Sequence, residues 1–117
     1  MLSTEKKTDM SQPLLLVVDD EAGVRQSLQM VFNKTYRVLE AASADEALQK
    51  VSEDKPDAVL LDIMMPQMDG YETIQKIRRE HKNNVLPIIA VTAKAMKGDR
   101  EKCIEAGASD YITKPVK

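Results

Sequence analysis

The apolar run Ala58-Val59-Leu60-Leu61 ends in a carboxylate, Asp62, and lies between Pro56-Asp57 and a loop that holds Pro66 and Gly70. A run that short, closed on both sides by turn-forming residues, predicts a buried strand that delivers Asp62 to a sheet edge. Taken alone, Asp62 is equally a residue that opens a turn. A second run, Leu14-Leu15-Leu16-Val17-Val18, ends in Asp19-Asp20-Glu21. Both runs are continuous rather than alternating, which suits strands covered on both faces, as in a parallel sheet.

The segments between repeat a strand–helix alternation. Tyr36 to Ala41 reads as a more polar strand at the sheet edge, Pro87 to Val91 as a short buried strand ending at Thr92, and Asp110 to Thr113 as a last strand before Lys114-Pro115. Helical spacing of Val24, Leu28, Val31 and Phe32 predicts a helix over Glu21 to Phe32 with acid in its first turn. Ser43 caps a second helix, with Glu46 at the capping-box position and Ala44, Ala47, Leu48 and Val51 on its buried face. A third runs from Gly70 to His81 with Tyr71, Ile74 and Ile77 on one side; His81, in a charged tail, is expected at the surface. A weaker pattern spans Lys97 to Ala106, with a thin apolar face of Cys103 and Ile104 and Gly107 as its cap. Strands alternating with helices through short links imply right-handed crossovers and an α/β domain with helices on both faces of the sheet.

At 117 residues there is room for one core. Residues 1–12 are polar and are expected to form a flexible tail, leaving 13–117 as the domain. Seventeen basic residues against 19 acidic ones give a net charge of −2, which favours no polyanion, so direct binding of nucleic acid is not expected. Cys103 has no second cysteine in the chain to pair with. No stretch reaches the roughly 20 apolar residues of a membrane span or follows a signal-peptide pattern, so a cytoplasmic protein without a membrane contact is expected.

In a doubly wound sheet every strand presents its C-terminal end to one edge, where ligands bind. That edge collects Asp19 and Asp20, Asp62, Thr92 and, just beyond the last strand, Lys114. Singly, each has a plain reading: the Asp pair as helix caps, Thr92 as a strand-end hydroxyl, Lys114 as a surface cation. Jointly they make a site. Carboxylates about 4 Å apart repel by roughly 4 kcal/mol at an effective dielectric near 20, a cost a cation relieves, and oxygen-only ligands at an open edge favour Mg2+. With a hydroxyl and an ammonium for phosphate oxygens, an Asp carboxylate can attack phosphorus to give an aspartyl phosphate. The small Ala93 would leave that phosphorus approachable, and an Ala there equally serves plain packing.

The segments VVDDE (Val17 to Glu21), LLDIMMPQMDG (Leu60 to Gly70), VTA (Val91 to Ala93) and DYITKP (Asp110 to Pro115) together resemble the receiver domain of two-component response regulators, of the chemotaxis-regulator kind. The stretch from Val91 to Lys117 is most similar to receivers attached to hybrid histidine kinases. The resemblance implies a flavodoxin-like, doubly wound, five-stranded parallel sheet of order 2-1-3-4-5. It implies that Asp62 accepts a phosphoryl group from a histidine kinase or histidine phosphotransfer protein. Mg2+ would be held by Asp20, Asp62 and the backbone carbonyl of Met64, with Asp19 acting through the water shell. Thr92 and Lys114 would hold phosphate oxygens, with a cis Lys114-Pro115 bond aiming the ammonium inward. Thr92 and Tyr111 would form the switch, passing the change to a downstream protein or an attached output domain. Met64 and Lys94 flank the site at variable positions of the family, and an apolar Met64 cannot orient an attacking water, so slow loss of phosphate is expected. Such a chain is a switch rather than a turnover enzyme.

The chain departs from the family pattern in one place: receivers carry a fifth helix after Lys-Pro, and this sequence stops at Lys117. Its absence would leave apolar surface uncovered on the first helix and the sheet. Other classes fit less well. A haloacid-dehalogenase-type phosphatase needs a second acid two residues after its Asp nucleophile, where Met64 stands. A flavodoxin needs Ser, Thr and Gly amides around a flavin phosphate, which Asp19-Asp20-Glu21 would repel. A pseudo-receiver that only binds proteins usually lacks one of the site residues, and all are kept here.

Overall fold

The computed structural model describes residues 12–64, 69–81, 85–92 and 96–113. The elements are β1 (Leu14–Val18), α1 (Ala22–Phe32), β2 (Arg37–Ala41), α2 (Ala44–Asp54), β3 (Ala58–Asp62), α3 (Gly70–His81), β4 (Ile88–Thr92), α4 (Asp99–Ala106) and β5 (Asp110–Thr113). The strands form one parallel sheet of order β2-β1-β3-β4-β5, the flavodoxin-like order expected. β2, the more polar strand, is at one edge, and the continuous runs β1 and β3 are side by side inside. Register sets Val18 against Ala41 and Leu61, and Thr92 against Thr113, so the C-terminal ends share one edge.

On one face, Leu16, Val18, Val59, Leu61, Ile88 and Ala90 of the sheet meet Ala47 and Val51 of α2, Ile74 and Ile77 of α3, and Cys103 and Ala106 of α4. Burial of each large aliphatic side chain there contributes about 1.5–3 kcal/mol relative to exposure. α2 starts at a cap in which the Ser43 hydroxyl accepts the Glu46 N–H at 3.2 Å, while Glu46 Oε1 accepts from Ala42 N–H at 2.5 Å, one residue before the donor of an ordinary capping box. Leu48 is only partly buried. Gly107 closes α4 at φ +120°, its N–H bonded to the carbonyls of Cys103 and Ile104. α4 begins at Asp99, and its buried face is Asp99, Cys103 and Ala106, whereas Ile104 is 40% exposed: the turn at Gly98 rotates the acid, not the isoleucine, toward the core.

On the other face α1 buries no residue fully, and Val31 is 67% exposed. Its Val24, Leu28 and Phe32 line an open apolar groove of about 720 Å³ with Leu60, Val91 and Ile112 of the sheet. α1 begins at Ala22, so Glu21 is its cap residue without a side-chain bond, and the first turn carries no acid. Among the described residues no helix is long and apolar enough to cross a membrane. Residues 1–11, Lys114-Pro115 with its bond geometry, and the side chain of His81 lie outside the described residues; Gln12 donates from its amide to the Lys34 carbonyl at 3.0 Å.

Candidate functional site

β1 carries Asp19 to the edge, where its N–H bonds to the Ala41 carbonyl at 3.1 Å and its carboxylate turns back to accept the Glu21 N–H at 2.9 Å. Arg25, one turn into α1, donates to the Asp19 carbonyl at 2.7 Å and to Glu40 at 3.0 Å, tying α1 to the ends of β1 and β2. The Asp19 backbone is thus held by a cation. Asp19 is buried and Asp20 exposed.

β3 brings in Asp62, 6% exposed, whose Oδ1 accepts the Met64 N–H at 2.9 Å, while Ile63 N–H bonds to the Val91 carbonyl at 3.0 Å. Asp19, Asp20 and Asp62 each offer an oxygen within 4.8 Å of the others. Three carboxylates at that spacing, two of them buried, are a hard-oxygen donor set that fits a divalent cation such as Mg2+. The Met64 side chain is exposed beside them. Gly70 opens α3 against Ile63: a Cβ there would come to 2.7 Å from Ile63 Cβ and closer still to its Cα, so glycine is what lets α3 start next to the Asp62 turn.

Thr92 ends β4, fully buried, beside Thr113 of β5. Lys114, the next residue, lies outside the described residues, as do Ala93 and Lys94. Tyr111 packs on the core from β5, and its hydroxyl is buried with no hydrogen-bond partner. Burial first, then the Asp99 and Cys103 charges and the nearness of Asp99 as an acceptor, raises its pKa.

Next to it is a group that sequence reasoning missed. The buried Asp99 accepts the Tyr71 hydroxyl on Oδ1 at 3.0 Å and the Met96 N–H on Oδ2 at 2.8 Å. Burial, then this hydrogen bond, pushes the Tyr71 phenol well above its ordinary pKa. An Asp after Gly98 reads in sequence as an ordinary first-turn acid, and nothing local signals that it faces inward.

The chain matches the family model "Response regulator receiver domain" over residues 15–117. It is 40% identical over 109 residues to the response regulator Rre1 of Synechocystis, covering 91% of this chain and 47% of that protein. It is 44% identical over 102 residues to the transcriptional regulatory protein ResD of Bacillus subtilis, covering 86% and 41%. It therefore spans less than half the length of these relatives. Among solved structures, the chemotaxis protein CheY4 of Vibrio cholerae superposes with a TM-score of 0.83 at 27% identity, covering 91% of this chain and 89% of that one. A putative response regulator from Chloroflexus aurantiacus gives 0.82 at 36% identity, covering 91% and 88%. The sheet order, the carboxylate cluster on its C-terminal edge and these matches agree: the chain belongs to the response regulator receiver domain family of two-component systems.

Proposed function

We propose that the chain is a phosphoacceptor: Asp62 takes a phosphoryl group from a phosphohistidine of a histidine kinase or histidine phosphotransfer protein. A carboxylate oxygen of Asp62 attacks phosphorus, the new O–P bond forms as the donor's N–P bond breaks, and the electron pair stays on the imidazole nitrogen, which takes up a proton. The observation that carries this reading is the convergence of Asp19, Asp20 and Asp62 within 4.8 Å at the sheet edge. Asp20, Asp62, the Met64 carbonyl and, through water, Asp19 would hold Mg2+, which when bound neutralises charge on the phosphoryl oxygens. Thr92 and Lys114 take the remaining oxygens, and Thr92 with Tyr111 carries the change toward α4 and β5. The domain proper is residues 13–117 after a tail of 1–12. It works in the cytoplasm as a switch on protein contacts or on an attached output domain, assisting its own phosphorylation without turning over a substrate.

Incubation with Mg2+ and labelled acetyl phosphate tests the linkage. The label is expected to be released by hydroxylamine, as an acyl phosphate is and a serine or threonine phosphate is not. Once donor is removed, release in buffer alone is expected to take minutes or longer, because Met64 offers no polar group to an attacking water. Hydroxylamine-stable label would overturn the Asp assignment, and release within seconds would overturn the role given to Met64.

A further inference from the structure

Asp99 stands between two phenols, of which only one is paired. Oδ1 accepts Tyr71 from α3, Oδ2 holds the Met96 N–H at the turn into α4, and the Tyr111 hydroxyl from β5 is buried close by without a partner. A buried hydroxyl without a partner is an unfavourable state that a shift of neighbouring groups can relieve. The Asp99 carboxylate already raises the Tyr111 pKa, by its charge and as a hydrogen-bond acceptor, so it is within reach of the hydroxyl although the two are not in bonded geometry. No other carboxylate among the described residues contributes to the pKa of either phenol.

We propose that Asp99 is a positioning residue of the switch, a single acceptor that passes between Tyr71 and Tyr111. With Tyr71 on Oδ1, the first turn of α4 is fixed to α3. With Tyr111 on it, the same turn is fixed to β5 and the tyrosine is locked inward. The two arrangements fix the first turn of α4 to different elements, which makes the α4–β5 surface bistable rather than continuously deformable. The proposal rests on the phosphoacceptor reading only for the event that drives the exchange.

The test uses the chain labelled with 13C at tyrosine Cζ, its three tyrosines assigned by single Tyr→Phe variants. In mixed H2O and D2O, a slowly exchanging hydroxyl splits the Cζ signal into two. In the native chain Tyr71 is expected to split and Tyr111 to remain single. In Tyr71→Phe, which removes one oxygen and keeps the ring, Tyr111 is expected to split, and in Asp99→Leu neither does. If the exchange drives the switch, Tyr71→Phe also accelerates phosphorylation by acetyl phosphate by about fivefold, the lower range of couplings between sites, and Tyr71→Phe/Asp99→Leu loses the gain. An unsplit Tyr111 in folded Tyr71→Phe, or an unchanged phosphorylation rate with Tyr111 split, overturns the proposal. The spectra need no phosphorylation, so a chain that takes up no phosphoryl group counts against the phosphoacceptor reading alone.

Discussion

In saturating Mg2+ the chain is expected to melt roughly 10 °C higher than in chelator, and Asp20→Asn is expected to remove most of that rise. Two charges at the 4.8 Å limit of the cluster repel by about 3.5 kcal/mol at an effective dielectric of 20. Folding must hold them there, whereas the unfolded chain lets them separate. A cation that binds only the folded chain, at a hundredfold over its Kd, adds about 2.7 kcal/mol. Asp20 is the exposed member, so its replacement removes a ligand without opening the core. Differential scanning fluorimetry across Mg2+ concentrations reads both numbers. An equal Mg2+ shift in Asp20→Asn would place the ion away from this cluster.

Gly70→Ala is expected to lower the urea midpoint by the equivalent of about 3 kcal/mol, the upper range for overpacking, with the m-value unchanged. The added methyl meets Ile63 Cβ at 2.7 Å and the Ile63 backbone more closely, and a backbone atom cannot step aside as a flexible side chain can. Relief must come from moving α3 or the turn after Asp62. Gly23→Ala is the internal control: nothing lies within 4 Å of its added methyl, and in the first turn of α1 it should stabilise by less than the roughly 1 kcal/mol of a helix interior. If the two variants shift stability equally, close approach of α3 to the Asp62 turn is not what Gly70 provides.

The sequence made the sheet readable because its strands are punctuated. Leu14–Val18 is apolar throughout, Ala58–Asp62 is apolar up to its last residue, and both runs stop at carboxylates, so both their burial and the edge they point to could be read from the chain. The bounds of α3 and β5 were read as they stand, since Gly70 and Thr113 mark real ends. Less was legible where tertiary contacts override local pattern. Glu21 looks like a first-turn acid, but the chain is still extended there, with Arg25 holding the preceding Asp19 carbonyl. Val31 and Ile104 have the right spacing for buried faces, yet α1 has only an open groove to cover and α4 is turned by Gly98. The Tyr71–Asp99 bond joins residues 28 apart, and helical periodicity carries no information about a polar pair buried between two helices.

Intact-mass spectrometry after incubation with Mg2+ and acetyl phosphate, on the native chain, Asp62→Asn and a chelated control, tests the central claim most directly. The account predicts a gain of one phosphoryl group in the native chain with Mg2+, and none in Asp62→Asn or in chelator. A gain that persists in Asp62→Asn, or no gain in native chain shown to be folded, would contradict it.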